Sequence, residues 1–145
     1  MQNIKNKSVQ KSFFEISALN YFEFLSYLPN KKNIVLDFGC GNGVFQKKFS
    51  SKKIKSIKMY DKNKKLESQI KKKYKNNSYI KWTQSLSVNY NVVFINSTIQ
   101  YLTLKNYKSL ISYFFKKKVD IIIISDIPKY PYYIEALFCI FVNLK

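Results

Sequence analysis

The chain contains no arginine and no histidine, and only 3 glycines, 3 prolines, 2 cysteines and 8 acidic residues stand against its 26 lysines. Each shortage excludes something. Without histidine there is no imidazole to serve as a general base near neutral pH or as a metal ligand. The two thiols, Cys40 and Cys139, lie 99 positions apart (139 − 40) and fit no metal-ligand spacing. A disulfide at Cys40 would obstruct the glycine-rich stretch around it, so a reduced, cytoplasmic compartment is the simplest expectation. Without arginine, the planar fork that reads phosphate and guanine bidentately is missing, which counts against sequence-specific nucleic-acid recognition. Long apolar runs are lacking too. The stretch from Tyr130 to Val142 is broken by Pro131 and Glu135 and is too short to span a bilayer, and the start, Met1-Gln2-Asn3-Ile4-Lys5-Asn6-Lys7, has no signal-peptide core.

What is present argues for a folded α/β domain. At 145 residues one domain is expected, and a hydrophobic fraction of 46% with 12 Tyr, 12 Phe and 1 Trp can fill a core. The net charge of +18 has two readings. Lysine, asparagine, isoleucine, tyrosine and phenylalanine are abundant together, as in A+T-rich coding sequence, and lysine runs usually form solvated faces. The shortage of acids leaves room for a polyanionic partner such as RNA or an anionic membrane surface.

Along the chain, apolar residues at Phe14, Ala18, Phe22, Leu25 and Leu28 predict an amphipathic helix over Ser12 to Leu28, stopped by Pro29-Asn30. Asn33 to Phe38 is a continuous apolar run of the buried parallel type. A short helix is expected over Val44 to Ser50, a second strand over Ser56 to Tyr60, and a lysine-rich helix with Leu66, Ile70 and Tyr74 on one face. Tyr79 to Trp82 and Asn91 to Asn96 read as the third and fourth strands. Thr103 is placed to cap a helix carrying Leu104, Tyr107, Leu110, Ile111 and Phe114. Val119 to Ser125, the most hydrophobic run, is expected to be central and to end at Asp126-Ile127-Pro128, before a last helix over Tyr132 to Asn143. Strands alternating with helices imply right-handed crossovers and a parallel sheet covered on both faces.

All 3 glycines fall within Gly39-Cys40-Gly41-Asn42-Gly43, directly after the first strand. The backbone must turn tightly there, at a place where a nucleotide-like cofactor can lie across the strand end. A dinucleotide fingerprint, G-x-G-x-x-G, would need glycine at position 44, which is Val44. The observed pattern is G-x-G-x-G with an acid, Asp37, two positions upstream. Asp61 closes the second strand 24 positions after Asp37 (61 − 37) and could accept hydrogen bonds from two vicinal hydroxyls.

Val35-Leu36-Asp37-Phe38-Gly39-Cys40-Gly41-Asn42-Gly43 resembles motif I of the class I S-adenosylmethionine-dependent methyltransferases. Met59-Tyr60-Asp61, the run Asn91 to Leu102 and the run Ile121 to Pro128 are similar to the family's later strand ends, so the resemblance covers about Asn33 to Pro128. It implies a Rossmann-like three-layer sandwich with a mostly parallel five-stranded sheet of order 3-2-1-4-5, and S-adenosyl-L-methionine as cofactor. Residue by residue, it implies that Asp37, Gly39 and Gly41 hold the methionine portion, with Cys40 between them in the cofactor-binding loop, Asp61 the ribose, and Gln84 and Ser85 the adenine, with Asn96 and Ser97 facing the sulfonium and substrate. Cys40 would be simply a small residue in the loop, and the lysines at 71, 72, 73 and 75 a solvated helix end. Tyr101 and the other aromatics read as core.

No catalytic residue is assigned. Any base would have to be a carboxylate such as Asp126, a tyrosine or a lysine. Asn96-Ser97-Thr98 lacks the Asn/Asp-Pro-Pro-aromatic motif of amino-methylating nucleic-acid enzymes, which favours a small-molecule acceptor. The family continues past its fifth strand into an antiparallel pair, whereas 17 residues follow Pro128 (145 − 128). A minimal or shortened domain with an exposed fifth-strand edge is therefore expected. The alternative is a basic, catalytically incomplete module binding RNA or a protein partner.

Overall fold

The computed structural model describes residues 26–43, 52–128 and 135–138. In chain order these form β1 (Asn33–Phe38), β2 (Ile54–Tyr60), α1 (Leu66–Lys73), β3 (Ile80–Trp82), β4 (Val92–Asn96), a 3-10 turn (Ile99–Tyr101), α2 (Leu104–Lys116), β5 (Ile121–Pro128) and β6 (Glu135–Phe138). The sheet order is β3-β2-β1-β4-β5-β6. The first five strands run parallel, in the expected order 3-2-1-4-5.

The sixth strand corrects the reading of the C-terminal segment. Glu135–Phe138 is not part of a helix but pairs antiparallel with β5, through Ile127↔Ala136 and Pro128↔Glu135. A short apolar run fits helix and strand alike by pattern, and the unpaired edge of β5 supplies hydrogen-bonding partners that a helix would leave open. The expected exposed edge on β5 is thereby covered along this stretch. β5 also continues to Pro128 rather than stopping at Ser125, with a register irregularity between Ile124 and Ile127. Proline, which has no N–H to donate, sits at the strand's last position.

Both faces of the sheet are buried, as continuous apolar strands require. Alternate residues point to opposite sides. Val35, Ile57, Met59, Val92, Phe94 and Ile123 join Leu28, Ile70 of α1 and Tyr74 just after it in one core layer. Leu36, Val93, Ile95, Ile122 and Ile124 join the α2 residue Phe114 in the other. Ser26 and Tyr27 are helical and lead to the buried Leu28. The remainder of the predicted N-terminal helix, and the helix predicted over Val44 to Ser50, lie outside the described residues.

The cap on α2 is as predicted, with the Thr103 side chain accepting from the Asn106 N–H at 3.3 Å. Its first residue departs from the predicted apolar face. Leu104 is 68% exposed and Tyr101, expected in the core, is 80% exposed. Both precede the point where the helix reaches the sheet, so helical spacing alone does not bring them onto it.

At the opposite end of the strands a buried amide network ties four of them together. The Asn33 side-chain amide donates to the carbonyls of Pro29 (3.1 Å), Lys31 (2.8 Å) and Lys53 (3.0 Å). The Asn91 amide donates to Asn33 Oδ1 at 2.9 Å and to Asp120 Oδ2 at 2.8 Å. Asn91 Oδ1 accepts from the Ile34 N–H at 2.7 Å. Asp120 is also paired with the Lys31 ammonium at 2.6 Å.

Candidate functional site

β1 and β4 are sequence-distant neighbours, so the order of connections reverses between them. In an open parallel sheet this reversal leaves a crevice beyond the carboxyl ends of the two strands. The pairings Phe38↔Tyr60 and Phe38↔Ile95 set Asp61, Gly39 and Asn96 level along that edge. Met59↔Trp82 brings Gln84, two residues on, to the same level as Asp61. Gln84, Asp61, Gly39 and Asn96 thus share one edge across three strand spacings, about 14 Å.

The three loop glycines all take positive φ, 76° at Gly39, 54° at Gly41 and 63° at Gly43. Gly39 and Gly41 differ in what surrounds them. A Cβ on Gly39 would lie 2.5 Å from Thr98 Cγ2 and 2.8 Å from Thr98 Cβ, whereas a Cβ on Gly41 would meet nothing within 4 Å. Gly39 is required for packing of β1 against the chain leaving β4. Gly41 borders open space, where a ligand can approach the backbone.

Most loop amides are engaged within the fold. The N–H groups of Gly39 and Cys40 donate to the Tyr60 carbonyl at 2.8 and 3.1 Å, and that of Gly43 donates to the Cys40 carbonyl at 3.1 Å. The Gly41 N–H donates to Asp61 Oδ2 at 3.0 Å, while Asp61 Oδ1 accepts from the Asn63 N–H at 2.8 Å. Each carboxylate oxygen retains capacity for a further donor. Asp37 is 3% exposed beneath the loop.

The loop is also gripped from α1. Lys73 Nζ donates to the carbonyls of Asn42 (3.1 Å) and Gly43 (2.7 Å), and the Tyr74 hydroxyl donates to the Gly43 carbonyl at 2.5 Å. Sequence reasoning missed this role for Lys73, which it assigned to a solvated helix end. The hint was its place next to Tyr74 on the predicted apolar face.

Thr98 was also missed. Its hydroxyl lies 2.9 Å from the Asn96 carbonyl and 3.3 Å from that of Gly39. Ser97, beside it, holds a φ of 51°, a left-handed conformation that tightens the turn off β4. Gln84 and Ser85 are exposed. Gln84 donates to Glu67 Oε2 of α1 at 2.7 Å, and the Ser85 hydroxyl is 2.7 Å from that of Ser87. The structure therefore brings Asp37, Gly39, Cys40, Gly41, Asp61, Asn96 and Ser97 together around one crevice, with Gln84 and Ser85 at its β3 end.

Burial, then the negative charges of Asp37 and Asp61, push the Cys40 thiol up from its ordinary value of 9.0. It stays protonated and is not a nucleophile. Burial, then Asp37, pushes the Tyr74 phenol from 10.0 up to about 12. Because the folded state holds both protons more tightly, its stability is complete below the unfolded-state values and falls as pH rises above them. The urea midpoint should thus decline from about pH 9 upward. Cys40→Ser should remove the earlier part of that decline, and an equally steep decline in the variant would show that another group causes it.

No metal-binding group of three or more His, Cys, Asp or Glu residues occurs among the described residues. No family model and no curated protein matches the sequence. Solved structures do resemble it. The methyltransferase domain of bacterial CtHen1-CN superposes with a TM-score of 0.61 at 18% identity, over 75% of this chain and 63% of that one. Magnesium protoporphyrin IX methyltransferase (ChlM) from Synechocystis PCC 6803, with bound SAH, gives 0.61 at 19% identity over 83% of this chain and 57% of that one. The glycopeptide N-methyltransferase MtfA, complexed with S-adenosyl-L-methionine, gives 0.63 at 14% identity over 74% and 53%. The chain thus spans less than two thirds of the length of each of these three. Sheet order and these likenesses together give the chain the Rossmann-like fold of the class I S-adenosylmethionine-dependent methyltransferases.

Proposed function

We propose that the chain binds S-adenosyl-L-methionine at this crevice and transfers its methyl group to a small-molecule acceptor. The observation that carries the reading is the Asp61 carboxylate, held against the Gly41 N–H at 3.0 Å beside open space on the glycine loop. That juxtaposition fits a vicinal diol on the carboxylate with the rest of the ligand running over Gly41. Asp37, Gly39, Cys40 and Gly41 would frame the methionine end, and Gln84 and Ser85 the adenine end. Asn96 and Ser97 would border the methyl group and the acceptor.

When bound, the cofactor supplies a methyl group already activated on a sulfonium. The work left to the chain is positioning, which in well-oriented systems is worth up to about 7–11 kcal/mol. The grip of Lys73 and Tyr74 on the loop carbonyls and of Asp61 on the Gly41 amide keeps the loop from opening. The preference for a small acceptor rests on the Asn96-Ser97-Thr98 sequence at the end of β4.

Calorimetric titration with S-adenosylhomocysteine tests the site. Asp61→Ala should weaken binding by about 10- to 100-fold, since a hydrogen bond to a charged group contributes about 1.5–3 kcal/mol. Undiminished affinity in that variant, or no binding by the folded wild-type chain, would remove the assignment.

A further inference from the structure

A second surface of distinct chemistry lies at the β3 edge. Residues 52–82 carry 12 lysines and 2 acids, Asp61 and Glu67, so 10 of the net 18 positive charges (12 − 2) fall within this one β2-α1-β3 unit. Beside β3, which among the described residues has no strand on its outer side, an open groove of about 600 Å³ runs between the end of α1, the turn 76–78 and the strand. Lys71, Lys75, Lys81 and Trp82 line it, and among the described residues the lining includes no acidic one. Lys71 is paired with Glu67 at 2.6 Å. Lys75 and Lys81 are exposed, while Trp82, the only tryptophan of the chain, is half-buried.

We infer that this groove binds single-stranded nucleic acid. Lysines around a concave surface whose described lining holds no acid focus a positive potential that follows a phosphate backbone. An aromatic side chain in the same groove offers a stacking surface that accepts any base. Lysine in place of arginine makes the contacts point-like and insensitive to sequence. Competing partners fit less well. The edge strand is only three residues long, which leaves little ladder for an added peptide strand, and a lipid surface would need a convex apolar face rather than a groove. The groove is at the β3 end of the sheet, whereas an acceptor for the proposed transfer would enter by β4. Nucleic acid is thus a tethering partner here and not the methyl acceptor.

Trp82 fluorescence provides the assay on the full chain. A 12-nucleotide oligouridylate should quench it saturably, and log affinity should fall with log salt at a slope of about −2, as expected for about three phosphate contacts on a single strand. Lys75→Glu/Lys81→Glu should weaken binding at least tenfold. Lys105→Glu/Lys108→Glu makes the same charge change on α2, on the other face of the sheet, and should alter binding less than twofold. Asp61→Ala should leave binding intact, which separates this surface from the proposed cofactor site. All these side chains are exposed or partly exposed, and thermal melts confirm that each variant is folded. Lys75→Ala/Lys81→Ala replaces the double glutamate if the latter unfolds and should show a smaller loss in the same direction. Equal weakening by the α2 pair, equal quenching by polyglutamate, or oligonucleotide binding seen by anisotropy with no change at Trp82 would each overturn the inference.

Discussion

Gly39→Ala should lower stability by about 3–4 kcal/mol and leave little folded protein at physiological temperature. Two independent costs combine. The left-handed conformation, φ 76°, costs a residue with a Cβ about 1–2 kcal/mol. The new methyl group also overlaps the Thr98 side chain, 2.5 Å from its Cγ2, and overpacking of this kind costs about 1–3 kcal/mol. Thr98 has little freedom to yield, because it is β-branched and its hydroxyl is bonded to the Asn96 carbonyl at 2.9 Å. Gly41→Ala shares the conformational cost, with φ 54°, but meets no neighbour. It should therefore lose only about 1–2 kcal/mol while weakening S-adenosylhomocysteine binding more than stability, since its methyl group enters the open space proposed for the ligand. Urea denaturation of the two variants and of Gly39→Ala/Thr98→Gly checks the division. The double variant should recover about 1–3 kcal/mol relative to additivity. No recovery would mean that the contact with Thr98 is not what fixes glycine at this position.

Asn33→Leu should cost about 3 kcal/mol, an effect of similar size at the far end of the sheet. Asn33 is fully buried (0% exposed), and its amide serves the carbonyls of Pro29, Lys31 and Lys53. Leucine keeps the shape but removes these three bonds and the one from the Asn91 amide to Asn33 Oδ1, although the Pro29 and Lys53 carbonyls keep the N–H groups of Lys31 and residue 33 and the Asn91 amide keeps Asp120. Each such hydrogen bond contributes about 0.5–1.5 kcal/mol, and four are lost together. Because Asn91 belongs to the same network, Asn33→Leu/Asn91→Leu should be clearly less destabilising than the sum of the single variants. Additive losses would show that the two amides act separately. Ligand affinity per folded molecule should not change, since Asn33 and the crevice lie at opposite ends of β1, a strand of 6 residues spanning about 20 Å.

The strands were readable from the chain because buried parallel strands are continuous apolar runs, and β1 begins and ends where that run does; their order followed from the resemblance of the strand ends to the methyltransferase motifs. The glycine loop was readable for a related reason. Positive φ at three positions within five residues has almost no solution but glycine. Asp61 stood at the end of its strand, where register alone sets it level with Gly39. These are local properties, carried by short stretches whatever the rest of the molecule does.

Tertiary structure alone decided the rest. Gly39 and Gly41 are alike in sequence, and their roles divide only because Thr98, 59 positions away (98 − 39), lies against one and not the other. Lys73 reads as one solvated lysine among several until α1 packs on the sheet and delivers its ammonium to the loop carbonyls, 30 and 31 positions back. The strand at Glu135–Phe138 depends on the edge that β5 offers it, which no property of those four residues announces. Periodicity and backbone preference act between near neighbours and are written in the sequence. Hydrogen bonds to a carbonyl, a packed methyl group and an open sheet edge belong to partners far along the chain, and they exist only once the chain has folded.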